Sequence, residues 1–394
     1  MTATVHEPRG GLPQVVVTDA ALLETVAQLT AGTGPVALDA ERASGFRYRQ
    51  RAYLIQLRRD NGGTHLIDPT AFDDLTQVQS VLHGTDWILH AASQDLVCLA
   101  ELGLVPTAEL FDTELAARLL GYPRVSLGAL VEADLGIVLA KEHSAADWSK
   151  RPLPESWLRY AALDVEFLGE LWDLLRGKLT DVGKLEWAKQ EFAHVRDTTA
   201  PVVRAEPWRR TSGLHKVHRP SDLAVVRAVW HGRDAAAAAA DIAPGRLLSD
   251  AAIIAMALSP ARAPAELRAI PELAQRVSRR HVDQWVRAAL AARELPADAL
   301  PEARVRGTGL PAPRQWEARN PEAHARLSEI KVRLADLSQE VAVPVENLMT
   351  PELVRRVMWE APASDTDLET LLVTGAARPW QRELVGPVLR AVLS

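Results

Sequence analysis

The chain of 394 residues has one cysteine, Cys98. A disulfide framework is excluded, a zinc site built on cysteines is excluded, and a reducing compartment fits best. No apolar run reaches the length needed to span a bilayer. The segment from Met1 to Gln14 contains proline and glycine but no apolar signal core, so a cytoplasmic protein without a membrane partner is expected. Net positive charge is also missing. A net charge of −6 argues mildly against a nucleic-acid partner, although local patches rather than the total govern such binding. What is present is a globular composition, 47% hydrophobic and 24% charged, at a length that suggests two or three domains.

Residues 15–200 read as alternating strands and helices. Val36–Leu38 forms a short buried strand. Tyr53–Leu57 and Thr64–Ile67 form two more, joined by a turn at Asn61-Gly62-Gly63. Trp87–His90 is a fourth, followed by a helix beginning near Ser93. Another helix starts at Pro154. A hairpin followed by helices predicts a mixed α/β sheet. Beyond residue 200 the strand signal disappears. Residues 210–292 read as helical, 294–320 as a proline-containing linker, and 321–394 as helical again. The two helical segments align with an offset of 100 residues. Ile242-Ala-Pro244, Leu248-Ser-Asp250 and Ile253-Ile254 match Ala342-Val-Pro344, Leu348-Met-Thr350 and Leu353-Val354.

The candidate chemistry lies in carboxylates. Asp39 and Glu41 follow a strand at i and i+2 and share a face. Two acids so placed repel unless a hard cation lies between them. Taken alone, an Asp-x-Glu is better explained as solvated acids at a strand end. Asp95 follows the strand at Trp87 and falls in a helix's first turn, where the helix dipole alone is a sufficient reason for it. Tyr160 and Asp164 share a helix face with Phe167, Leu171, Leu174 and Leu175, which puts Asp164 on an apolar stripe. A buried carboxylate there is costly unless it is paired or metal-bound.

Together, Asp39, Glu41, Asp95, Tyr160 and Asp164 resemble the DEDD superfamily of 3′→5′ exonucleases, and within it the ribonuclease D family. The resemblance rests on Leu38-Asp-Ala-Glu41, Leu54-Ile-Gln-Leu57, Leu66-Ile-Asp-Pro69, Leu89-His-Ala-Ala-Ser-Gln-Asp95, Asp147-Trp-Ser-Lys-Arg-Pro-Leu153 and Leu158-Arg-Tyr-Ala-Ala-Leu-Asp164. Tyrosine four residues before the last aspartate marks the tyrosine branch. Arg42 departs from many relatives, which carry an apolar residue there. The helical segments resemble the HRDC domain, an accessory nucleic-acid-binding bundle.

The resemblance implies a ribonuclease H-like α/β exonuclease domain with a mixed sheet over 1–200, an HRDC domain over 208–293, and a second HRDC-like all-α domain over 321–394. It implies two divalent cations, Mg²⁺ or Mn²⁺, held by Asp39, Glu41, Asp95 and Asp164, with Tyr160 orienting the attacking water. RNA is the implied partner, gripped by the single-stranded 3′ tail of a structured molecule. Transfer-RNA precursors are the implied substrates and nucleoside 5′-monophosphates the products. A DNA exonuclease and an inactive RNA-binding scaffold are the alternatives, and a monomer is expected.

Arg42, Arg47, Arg49 and Arg51 alternate with Phe46 and Tyr48, a pattern suited to a single-stranded backbone with stacked bases. Arg42, Phe46 and Arg47, with His90 of the second motif, are therefore candidate nucleic-acid contacts, although a solvated loop reads equally well. Residues 204–233 hold six arginines and one lysine against two acids, which makes Arg209, Arg210 and Lys216 further candidates.

Overall fold

The computed structural model describes residues 3–5, 7–139, 146–201, 204–274, 279–303 and 309–394. Residues 275–278 of the expected helical region and 304–308 of the expected linker lie outside them.

Eight strands are present among the described residues: β1 (Ala3–Val5), β2 (Val15–Val16), β3 (Thr33–Arg42), β4 (Ala52–Asp60), β5 (Gly63–Ile67), β6 (Trp87–Leu89), β7 (Leu110–Asp112) and β8 (Ile137–Leu139). Six form the expected mixed sheet in the order β2-β5-β4-β3-β6-β7. The pairs β3/β4 and β4/β5 are antiparallel, and the other three are parallel. Asn61 and Gly63 take left-handed backbone (φ 59° and 80°), which closes the β4–β5 hairpin where the sequence placed its turn.

Helices α1 (Asp19–Ala31), α2 (Thr76–Leu82) and α3 (Leu96–Ala100) belong to one side of the sheet. Leu22, Leu29, Val78 and Leu82 there bury Val36, Leu38, Ile55 and Leu57. The other side is covered by α4 (Thr113–Leu119), α5 (Leu127–Leu135), α6 (Glu155–Glu166), α7 (Leu168–Asp181) and α8 (Leu185–Thr198). The helix expected from Pro154 is interrupted at Phe167 (φ −108°, ψ 1°) and becomes α6 and α7. Beyond this break the buried face is Leu168, Leu171, Leu175 and Leu179, while Leu174 is exposed. The phase inferred from a continuous helix is therefore wrong for Leu174.

The first helical repeat comprises α9 (Pro220–Ala240), α10 (Pro244–Leu247), α11 (Asp250–Leu258), α12 (Pro264–Arg268), α13 (Pro271–Ala274) and α14 (Arg279–Arg293). After α15 (Trp316–Arg319), the second comprises α16 (Pro321–Glu340), α17 (Val345–Leu348), α18 (Pro351–Glu360), α19 (Asp365–Thr374) and α20 (Pro379–Leu393). The repetition is real, but its offset is 101 rather than 100. Ser249 caps α11 and Thr350 caps α18, while Asp241 (φ 48°) and Ala342 (φ 47°) are the left-handed corners. The proline match misled the register: Pro244 is the first residue of α10, whereas Pro344 is the N-cap of α17. Proline suits the start of a helix at either place.

The second repeat shares a core with the nuclease half. One buried cluster runs from Phe111 and Leu171 through Phe192 to Leu327, Leu353 and Trp380. Trp187 stacks on Trp380 at 4.8 Å. Glu191 accepts hydrogen bonds from Trp380 Nε1 (2.8 Å) and Arg378 Nε (2.6 Å). Lys184 Nζ donates to the carbonyls of Leu119 (2.6 Å) and Val341 (2.5 Å).

The matched caps give a direct test. Ser249→Ala and Thr350→Ala should each destabilise the protein by about 1 kcal/mol, read as a lower urea midpoint. A loss at one site and none at the other would show that the two corners are not equivalent.

Candidate active site

Alternation along β3 sends Leu38 and Ala40 into the core with α1 and leaves Asp39 and Glu41 on the opposite face, under α6. Asp95 is delivered by a tight turn after β6. Ala91 there is left-handed (φ 58°), an uncommon state for alanine. Its N–H and that of Ala92 are held by the Asp112 carboxylate at 3.1 and 2.8 Å, and the same carboxylate caps α4 through Glu114 N (2.9 Å) and Leu115 N (3.2 Å). Burial pushes Asp112 up to about 6 despite those N–H donors. Sequence reading missed Asp112, although an aspartate followed by a helical run at 113–119 is a cap signal. Asp95 itself sits just ahead of α3, after a 3₁₀ turn at Ala92–Gln94, rather than inside a first turn.

Asp164 and Tyr160 come from α6, whose small Ala161 and Ala162 are fully buried and let the helix lie close to the sheet. The Tyr160 ring rests 6.4 Å from that of Trp148. Trp148 is held in turn by Arg151, which donates to Asp68 Oδ2 (2.5 Å), Trp148 O (2.8 Å) and Tyr53 O (2.8 Å). Burial works against the Asp68 charge, and the bonds from Arg151 and Thr70 more than offset it, so its pKa falls. Two of the motifs quoted above, at 66–69 and 147–153, thus meet as one brace beneath Tyr160.

The carboxylates converge. Oxygens of Asp39, Glu41 and Asp164 lie within 4.8 Å of one another. Asp95 joins through a hydrogen bond with Asp39. They line a cavity of about 650 Å³ with Arg42, Ser44, His90, Ser126 and Tyr160. Burial, the largest cause, and then mutual repulsion push Glu41, Asp95 and Asp164 well above the usual carboxylate range. Asp39 is raised as well, burial outweighing the Ala40 N–H and the Asp95 hydrogen bond. Tyr160 is also raised, by burial and then by Asp164 and Glu41. The Arg42 guanidinium opposes the shifts of Asp39, Glu41 and Asp95 without cancelling them. Oxygen donors packed this closely fit a hard divalent cation.

The candidate nucleic-acid contacts separate into two groups. Arg42 and His90 line the cavity. Burial lowers the His90 pKa to about 4, and its Nδ1 lies 2.9 Å from Thr113 Oγ1, so it is a neutral hydrogen-bonding group. Phe46 and Arg47 instead make contacts within the protein: Arg246 stacks on Phe46 at 4.1 Å, and Arg47 Nε donates to Ser149 Oγ at 2.8 Å. In the basic patch, Arg209 is engaged by Glu206 and Trp208, Arg227 by Ala299 O, and Arg233 is buried against Asp250. Arg210 and Lys216 remain exposed.

A family model described as 3′-5′ exonuclease matches residues 14–180. A second, the HRDC domain, matches 222–288. A third, the 3′ to 5′ exonuclease C-terminal domain, matches 309–393, where the sequence suggested a second HRDC-like copy. Fold, site and matches together define a 3′→5′ exonuclease. A ribonuclease D from Granulibacter bethesdensis is 31% identical over 306 residues, spanning 76% of this chain and 71% of the relative. A crystal structure of a protein from Bifidobacterium adolescentis matches with a TM-score of 0.92 at 36% identity over 100% of both chains. The structure of Escherichia coli RNase D, titled an exoribonuclease involved in structured RNA processing, matches with a TM-score of 0.72 at 25% identity over 97% and 98%. The chain belongs to the ribonuclease D family of 3′→5′ exoribonucleases.

The raised carboxylates set a pH dependence. Unfolded chains ionise such groups near pH 4, whereas the folded pocket holds them protonated to higher pH. The metal-free folded state therefore binds more protons across that window, and its stability falls as pH rises through it. Thermal unfolding in a chelator should show lower stability at pH 8 than at pH 5. Mn²⁺ should stabilise more at pH 8, and Asp39→Asn should be as stable as the parent protein or more so. A metal effect independent of pH would contradict the assigned ligands.

Proposed function

We propose that this enzyme trims the 3′ ends of RNA, including transfer-RNA precursors and other structured RNA, and releases nucleoside 5′-monophosphates. The observation that carries this reading is the convergence of Asp39, Glu41, Asp95 and Asp164 in one cavity beside Tyr160. Asp39, Glu41, Asp95 and Asp164 would hold two divalent cations, Mg²⁺ or Mn²⁺. Such ions would supply positive charge to the scissile phosphate and acidify a water.

The chain's own residues do the rest. The Tyr160 phenol, kept protonated by burial and then by its acidic neighbours, orients the attacking water. Arg42 offers a guanidinium to a phosphate oxygen at the cleft wall. Neutral His90 contributes a hydrogen bond without adding charge. Arg210 and Lys216, exposed together with Arg204 and Arg219, would meet phosphates of the RNA body. We divide the chain into a nuclease unit over 1–200, a first helical repeat over 208–293, a linker over 294–320 and a second repeat over 321–394. It acts as a monomer in the cytoplasm, a setting consistent with one buried cysteine.

The test uses end-labelled RNA and DNA of one sequence with Mg²⁺ or Mn²⁺. RNA should shorten from its 3′ end to 5′-monophosphates. Asp39→Asn should abolish this, while Tyr160→Phe should lower kcat by about 10²-fold or more with metal affinity unchanged. Faster cleavage of DNA would move the substrate to the deoxy series, and undiminished cleavage by Asp39→Asn would refute the site. Charge removal at Arg210 and Lys216 together should reduce the salt slope of affinity for a folded RNA by about two, and leave that for a tetranucleotide unchanged.

A further inference from the structure

The loop over residues 43–51 leaves β3 directly after Glu41 and Arg42, and its Ser44 lines the cavity. Within the loop, Phe46 N and Arg47 N bond to Ala43 O, and Ser44 Oγ bonds to Gln50 Oε1 at 2.9 Å. Its remaining anchors come mainly from the first helical repeat, about two hundred residues later in the chain. Ala243 N donates to Phe46 O at 3.0 Å, Arg246 Nε donates to Gly45 O at 2.6 Å, and the Tyr48 hydroxyl donates to Asp234 Oδ2 at 3.1 Å.

Asp241 stands at the centre of this joint. Its Oδ1 accepts from Arg49 N at 3.1 Å and its Oδ2 from the Tyr53 hydroxyl at 3.4 Å. Tyr53 is the extra residue of a β-bulge: Glu41 pairs with Leu54 and Arg42 with Ala52, which leaves Tyr53 unpaired between them. Bulges of this kind re-aim a side chain and are common beside active sites. One carboxylate therefore holds both the loop that walls the cleft and the bulge opposite Glu41 and Arg42. Asp241 does this from left-handed backbone at the end of α9 (φ 48°), where glycine is the usual and less strained choice. The equivalent corner of the second repeat, Ala342, has no side-chain acceptor, so the corner's geometry does not by itself demand an acid.

We propose that Asp241 is a positioning residue for the nuclease cleft, holding loop 43–51 so that Arg42 and Ser44 meet the terminal nucleotides. The inference rests on the reading that this cleft binds an RNA 3′ end. The first helical repeat then acts even on substrates too short to reach its exposed basic residues.

The experiment compares the full-length protein with Asp241→Gly and Asp241→Asn. Glycine relieves the backbone and removes both acceptors. Asparagine tolerates the same backbone and keeps an oxygen for Arg49. On a single-stranded RNA tetranucleotide, Asp241→Gly should raise KM about tenfold, as expected for loss of one or two hydrogen bonds. Its kcat and Mn²⁺ midpoint should stay within about twofold of the parent. Asp241→Asn should match the parent. Amide hydrogen exchange supplies a readout independent of catalysis: Arg49 N–H should exchange faster in Asp241→Gly and not in Asp241→Asn. Faster exchange with unchanged KM would make Asp241 a structural fastener and overturn the proposal. Equal behaviour of the two variants would overturn it as well. If the parent cleaves no RNA while the exchange pattern appears as expected, the substrate reading has failed rather than the joint.

Discussion

The burial of four mutually repelling carboxylates around one cavity is the constraint around which this molecule is built. No folded chain gathers Asp39, Glu41, Asp95 and Asp164 spontaneously, since each approach raises the energy of the ionised forms. The surrounding framework has to impose it. The long antiparallel pairing of β3 with β4 fixes the first two acids. The Asp112 carboxylate fixes a left-handed turn that presents the third. The close seat of α6, made by buried alanines, presents the fourth. Each is a backbone device that brings its acid to the cavity.

The same framework ties the helical half to the nuclease half at two joints. The first repeat touches the cleft through the loop after β3, and the second completes the apolar face behind α7 and α8. One repeat therefore bears on the cleft wall and the other on the core. Structurally equivalent corners, at Asp241 and Ala342, make both joints, yet one uses a side-chain carboxylate and the other backbone carbonyls around Lys184.

Much of this was legible in the sequence. Strand alternation placed Asp39 and Glu41 on one face, and helical spacing placed Tyr160 with Asp164, because both periodicities are properties of the backbone. The mixed sheet, the hairpin turn at Asn61 and the doubled helical unit followed from equally local signals. What escaped was set by packing at long range. The break at Phe167 moved Leu174 to the surface, and nothing local marks that residue as a helix end. The one-residue error in the repeat arose because proline is tolerated at either of two adjacent positions. Phe46 and Arg47 carry the composition of a nucleic-acid loop, but their partners, Arg246 and Ser149, come from distant parts of the chain. Three of the seven cations of the basic patch were likewise absorbed, Arg209 by Glu206 inside the patch, and Arg227 and Arg233 by Ala299 O and Asp250, which lie beyond the window of the charge count.

The shared core also has a meaning for synthesis. Phe111, Leu171 and Phe192 are made well before the residues beyond 321 that join them in one buried cluster. At typical elongation rates of about 5–20 residues per second, the chain from α8 to its last helix takes about 10–40 s to produce. During that interval a large apolar face of the nuclease half is open to water, with tryptophans such as Trp187 still lacking their partners. Folding of the nuclease half is thus finished from the far end of the chain.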